Sequence, residues 1–167
     1  MRYLLIPFGF IFYVWFLVAF LPITVLCAFT VILLAPVWPR KHSAKLRHVA
    51  EFWGWIGIRI TFCPVHVFGK DKVLHEPGII ISNHQSLFDI LAGLGLYPID
   101  FLFLSKEAVF KIPFIGLAMK KLGYIPVNRS NPRQAARSLE VVEARIRENN
   151  RVLIYPEGTR SKDARVL

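Results

Sequence analysis

The chain has 167 residues, 54% of them hydrophobic and 19% charged, with a mean hydropathy of +0.46. That is the size of one domain, and a composition that excludes both a disordered chain and an ordinary well-charged soluble domain. The 21 bases against 11 acids leave a formal net charge of +10, which suits an anionic partner such as nucleic acid, phospholipid headgroups or a phosphorylated small molecule.

The first element is apolar. No residue between Arg2 and Arg40 is charged, and as one straight helix that stretch would run about 55 Å against a bilayer core of about 30 Å. Pro22 removes a backbone donor near its middle and divides it into residues 4–21 and 23–38, each short for a full crossing. The expectation is a membrane-embedded helical hairpin that dips into or barely crosses the bilayer, with a single kinked transmembrane helix as the alternative. A secretory leader fits less well, because the run exceeds a leader's apolar core and lacks an A-x-A-like exit. Arg40, Lys41, His42, Lys45, Arg47 and His48 follow, a cluster that the positive-inside rule places on the cytoplasmic side of the cell membrane, with the rest of the chain. Cys27 and Cys63 match no zinc-site spacing and argue against a disulfide framework, in keeping with that reducing side. Phe52, Trp53, Trp55, Ile56, Ile58 and Ile60 interleave with Gly54, Gly57 and Arg59, as an interfacial segment or an ordinary core element would.

Beyond Cys63 short apolar runs alternate with helix-like stretches, the pattern of an α/β domain. Strands are expected at residues 78–82, 101–105, 124–127 and 152–155. A helix is expected over 132–149, with Asn131 as N-cap, Pro132 in the first turn, an apolar stripe of Ala135, Leu139, Val142 and Ile146, and a Glu143–Arg147 pair. The division that follows is an anchor and interfacial segment over 1–62 and a single α/β domain over 63–167.

The first strand runs into Asn83, His84, Gln85, Ser86, Leu87, Phe88 and Asp89, and the carboxyl ends of strands are where open α/β sheets gather ligands. A His and an Asp at this spacing cannot share one face of a regular helix, so His84 belongs to the turn and Asp89 to the helix after it. The carboxylate can then accept from one ring nitrogen and leave the other as a base. The last strand runs into a second polar turn: Gly158 permits close backbone approach, Thr159 and Ser161 offer hydroxyls, and Arg160 carries a planar fork matched to phosphate oxygens. Arg129 ends the third strand and Lys106 follows the second, so four basic or catalytic turns are expected to converge.

NHQSLFD and EGTRS resemble the first and third signature blocks of the 1-acylglycerol-3-phosphate acyltransferase family, and KEAVFKIPFIG and GYIPVNR are similar to the stretch between blocks and to the second block. The resemblance covers residues 77–161. It implies that His84 is the catalytic base, that Asp89 orients it, and that Arg129, Glu157, Gly158, Thr159 and Arg160 help hold a glycerophosphate. The implied reaction carries a fatty acyl group from acyl-CoA or acyl carrier protein to the sn-2 hydroxyl of lysophosphatidate, with no cofactor beyond that thioester co-substrate. Glycerol 3-phosphate or another lyso-lipid is the alternative acceptor. The family usually continues into further strands and a fourth block, so the α/β domain is expected to be incomplete at its C-terminus, leaving an unpaired sheet edge.

Other readings explain less. A membrane-bound anionic-lipid-binding module leaves His84 and Asp89 idle. An esterase using Ser86 lacks a G-x-S-x-G elbow. Nucleic-acid binding lacks a zinc module or aromatic RNA-binding signature. Metal chemistry lacks a ligand set, since His75 with Glu76 and Cys63 with His66 are only partial.

Overall fold

The computed structural model describes residues 5–37 and 43–156. Two long helices come first, α1 (Leu5–Leu34) and α2 (Ser43–Ile60). The α/β part follows as β1 (Gly78–Ile81), α3 (Phe88–Leu96), β2 (Leu102–Lys106), α4 (Ile115–Lys121), β3 (Ile125–Val127), α5 (Pro132–Arg147) and β4 (Arg151–Ile154), with 3-10 turns at Lys70–Lys72 and Glu107–Lys111. The four expected strands are all present, each end within one residue of expectation. They form a wholly parallel sheet in the order β1-β4-β2-β3. Leu102, Phe103 and Leu104 are buried in succession, as are Val152 and Leu153, so both faces of the two central strands are covered. The edge strand β1 is barer, with Ile79 and Ile81 exposed.

The break expected at Pro22 does not occur: α1 is one helix of 30 residues with the proline inside it. The neighbouring helix supplies the polar contact near the missing donor. Trp53 Nε1 donates to Thr24 Oγ1 at 2.9 Å, and that hydroxyl donates to the Phe20 carbonyl at 2.9 Å. A hairpin does form, but its arms are α1 and α2. Trp15 Nε1 donates to the Ile60 carbonyl at 3.2 Å while the Phe20 and Trp53 rings lie 5.0 Å apart, so the two helices run antiparallel. Farther along, Ala28 and Val31 of α1 and Leu46 and Ala50 of α2 share one core with the sheet and with Ala118 of α4. The outer face of α1 is apolar and exposed, from Phe8 and Ile11 through Val18 and Val25 to Leu33.

The basic cluster after α1 is not uniformly a solvated patch. Arg40, Lys41 and His42 lie outside the described residues, and Lys45 is exposed. Arg47 is buried and donates through Nε to Asp100 at 2.8 Å and through Nη2 to the same oxygen. Arg151 at the start of β4 donates to the other Asp100 oxygen at 3.3 Å. His48 pairs with Glu51 at 2.7 Å. One carboxylate thus ties α2 to the edge where the strands begin, each of its oxygens bonded to a different arginine. In the aromatic stretch of α2, Trp53 and Ile58 pack inward as a core element would, while Phe52 and Trp55 are exposed, with the Arg59 guanidinium 5.2 Å from the Trp55 ring centroid.

In α5, Asn131 caps as expected, its side chain accepting from the backbone N–H groups of Arg133 and Gln134 at 3.1 and 3.3 Å. Glu143 and Arg147 pair at 2.6 Å. The stripe differs at one position: Leu139 is exposed and Ser138 is buried in its place, donating to the Pro126 carbonyl at 2.8 Å. That bond satisfies an acceptor on the edge strand β3, a use that a search for apolar periodicity does not detect. The helix stops at Arg147 because Asn149 takes a left-handed φ of 65°.

Where α2 crosses α3, glycine meets glycine. A Cβ on Gly95 would lie 2.3 Å from the Trp55 backbone nitrogen, and one on Gly54 would lie 2.7 Å from the Gly95 nitrogen. Gly95→Ala gains about 1 kcal/mol of helix propensity but forces two backbones apart, with overpacking costing about 1–3 kcal/mol or more. The expected outcome is a lower denaturation midpoint in detergent for Gly95→Ala and an unchanged one for Gly78→Ala, where a new Cβ meets nothing within 4 Å.

Candidate active site

Because every strand is parallel, the residues that follow β1, β2, β3 and β4 all emerge along one edge of the sheet, and β1 lies directly beside β4. The turn after β1 is built around one carboxylate oxygen. Asp89 Oδ2 accepts from the backbone N–H of Gln85 at 2.6 Å, from the backbone N–H of Ser86 at 2.8 Å, and bonds to His84 Nδ1 at 3.1 Å. Asp89 sits in the first turn of α3, where a helix N-terminus favours negative charge. A carboxylate only accepts, so Nδ1 carries the hydrogen and Nε2 keeps the lone pair. The two side chains are part-buried, 19% exposed for His84 and 31% for Asp89. The His84–Asp89 pairing is the one expected from their spacing.

Ser86 has a local duty. Its Oγ accepts from the Phe88 N–H at 2.8 Å, satisfying a donor where α3 begins. Among the described residues it makes no bond to the His84 ring, so the esterase arrangement is not formed.

A partner that the sequence reading did not single out is Tyr155, which follows β4. Its ring stacks on the His84 imidazole with centroids 4.3 Å apart and planes 23° apart, and Phe103 of β2 lies behind it at 6.2 Å. Burial, with the Asp89 charge as a smaller cause, pushes the Tyr155 phenol up to about 12, so it stays neutral at ordinary pH. Arg129, from the turn after β3, extends its guanidinium to 3.5 Å from the Tyr155 carbonyl. His84, Asp89, Tyr155 and Arg129 are therefore gathered in one place. Lys106 ends β2 on the same edge, with its side chain exposed and no hydrogen bond or ion pair among the described residues. Glu157, Gly158, Thr159 and Arg160 lie outside the described residues.

The partial metal sets of the sequence reading do not assemble: among the described residues no group of three or more His, Cys, Asp or Glu side chains is placed to hold an ion. A groove of about 390 Å³ lies at the other edge, where the strands begin, lined by His48, Glu51, His75, Tyr97, Asp100 and Arg151. It belongs to the Arg47–Asp100–Arg151 network rather than to the His84 turn.

A parallel α/β sheet with a carboxylate-oriented imidazole at its carboxyl edge defines a domain equipped to accept a proton from a bound hydroxyl. The family model described as Acyltransferase matches residues 64–167, and the chain belongs to that family. It is 35% identical over 128 residues to the chloroplastic 1-acyl-sn-glycerol-3-phosphate acyltransferase LPAT1 of Arabidopsis thaliana, an overlap of 75% of this chain and 35% of the relative. The chloroplastic 1-acyl-sn-glycerol-3-phosphate acyltransferase BAT2 of Brassica napus is 34% identical over 129 residues, covering 75% of this chain and 37% of the relative. The crystal structure of the 1-acyl-sn-glycerophosphate (LPA) acyltransferase PlsC from Thermotoga maritima superposes with a TM-score of 0.66 at 25% identity, over 90% of this chain and 65% of that one. The matched region thus spans about a third of the length of the two plant relatives.

The three bonds to Asp89 Oδ2 separate charge from shape. Asp89→Ala leaves two turn N–H groups without their acceptor and is expected to cost about 1–3 kcal/mol. Asp89→Asn keeps a side-chain carbonyl for the turn while losing the charge, and is expected to cost less than half as much. Thermal melts of both variants beside the parent check the order.

Proposed function

We propose that the protein is a 1-acyl-sn-glycerol-3-phosphate O-acyltransferase, in which this chain supplies the catalytic base and the wall that faces the acceptor phosphate. The observation that carries the proposal is the 3.1 Å bond from His84 Nδ1 to Asp89 at the carboxyl end of β1, in a chain whose relatives bear that enzyme's name. The donor is a fatty acyl thioester of coenzyme A or acyl carrier protein, which is already activated and serves as co-substrate with no further cofactor. His84 Nε2 removes the proton of the sn-2 hydroxyl of lysophosphatidate as that oxygen attacks the thioester carbonyl. The tetrahedral adduct collapses, the C–S bond breaks, and the proton held on the imidazole goes to the departing thiolate. The products are phosphatidate and a free thiol, with no acyl-enzyme between. Asp89 holds the ring and balances the imidazolium, and proton removal by a base so positioned gives about 10²–10⁴ in rate.

Acceptor binding falls to cations. Arg129 lies beside the His84–Tyr155 stack, Lys106 shares the sheet edge, and by the block resemblance Arg160 joins these cations while Glu157, Gly158 and Thr159 complete the acceptor-binding turn. Gripping a phosphoryl group at a distance from the reacting hydroxyl uses remote binding energy to orient it. The exposed apolar face of α1, whose segment Phe8–Leu34 contains an 18-residue window of mean hydropathy 2.7, lies against the bilayer on the cytoplasmic face of the cell membrane. The inner face of α1 is packed on α2 and α4. This supports immersion in one leaflet, with the site at headgroup depth where acceptor and product reside.

Membranes carrying the protein, given labelled acyl-CoA or acyl carrier protein thioester, are expected to convert lysophosphatidate to labelled phosphatidate in preference to glycerol 3-phosphate or other lyso-lipids. His84→Ala is expected to lose at least about 100-fold in turnover while still binding lysophosphatidate. Undiminished turnover in His84→Ala, or binding without turnover in the parent, would refute the assignment.

A further inference from the structure

A single hydrogen bond at 3.1 Å sets where His84 Nδ1 lies but leaves the imidazole plane freedom to tilt about the Cβ–Cγ bond. An aromatic face laid on the ring removes that freedom. The Tyr155 ring lies 4.3 Å from the imidazole centroid with its plane 23° off parallel, and is backed by Phe103 from a central strand. The ring is therefore held from two directions, in its plane by a carboxylate and on its face by a phenol.

We propose that Tyr155 is a positioning residue for proton transfer, acting through its ring face rather than its hydroxyl. It keeps His84 Nε2 aimed at the acceptor and steadies the imidazolium once the proton arrives. This rests on His84 being the base, as argued above. The groups around the ring fit the role. Among the described residues, Asp89 on α3 is the charged group bonded to it and Arg129 on the turn after β3 reaches the Tyr155 carbonyl, while Tyr97 is a minor electrostatic influence on the Tyr155 phenol. Burial keeps that phenol neutral, so what it offers the imidazolium is the negative face of a π-system. The stack also joins two turns distant in sequence, because β4 lies beside β1 in the sheet.

The test compares Tyr155→Phe, Tyr155→Leu and Tyr155→Met in the whole protein in membranes, with acyl-CoA and lysophosphatidate as substrates. Tyr155→Phe is expected to retain kcat within about three-fold. Tyr155→Leu and Tyr155→Met are expected to lose about 10- to 100-fold in kcat, the scale of a misplaced reacting group, with KM for both substrates within about three-fold. Should Tyr155→Leu fail to fold, Tyr155→Met and Tyr155→Phe still decide the matter. Equal loss in Tyr155→Phe, parental kcat in the aliphatic variants, or a rise in KM alone would overturn the proposal. His84→Ala in the same assay separates the two levels. Turnover surviving there refutes the base itself, whereas its loss beside a fully active Tyr155→Met refutes only the positioning role.

Discussion

One oxygen organises the carboxyl edge of the sheet. Asp89 Oδ2 gathers two backbone N–H groups and an imidazole nitrogen from the three residues His84, Gln85 and Ser86, and so the turn that ends β1 and the start of α3 become one rigid unit. The same contacts that shape the turn select the tautomer, because an acceptor on the Nδ1 side leaves the lone pair on Nε2. Structure and chemistry are coupled here at the level of a single atom. A charged carboxylate at a helix N-terminus is favourable in its own right, and the histidine borrows an acceptor already held in place.

What carries that unit is the packing of α3 on α2. Gly54 and Gly95 let the two helices approach until a methyl group would collide with backbone, and α2 is in turn clasped by α1 through Trp53, Thr24 and Phe20. At the opposite edge Arg47 reaches from α2 to Asp100, which also holds Arg151 of β4. The helical pair is thus an integral part of the α/β body rather than a tether. Its apolar outer surface and the turn that holds His84 belong to one framework.

The sequence was most legible where local physics decides. Short apolar runs marked the strands, Asn131 and Pro132 marked the start of α5, and the His84–Asp89 spacing was enough to separate a turn residue from a helix residue. It was least legible where the answer depends on a neighbour far along the chain. Pro22 breaks an isolated helix, whereas here α1 runs through it packed against α2, with Trp53 bonded to Thr24 beside the proline. Arg47 looks like a headgroup cation until Asp100 is brought to it, and Ser138 looks misplaced on a buried stripe until Pro126 offers its carbonyl. Tyr155 escaped notice for the same reason. Nothing in the order of residues says that the fourth strand lies next to the first, and that adjacency alone sets its ring on His84.

The central claim is that the imidazole at position 84 presents Nε2 as its basic nitrogen because Asp89 holds the proton on Nδ1. The direct measurement is ¹⁵N NMR of selectively labelled histidine in the membrane-reconstituted protein, with the His84 resonances assigned by substitution and recorded where the ring is neutral. The account predicts a pyrrole-like, proton-bearing Nδ1 and a pyridine-like Nε2 for His84. A proton found on Nε2, with Nδ1 bare and facing Asp89, would contradict it.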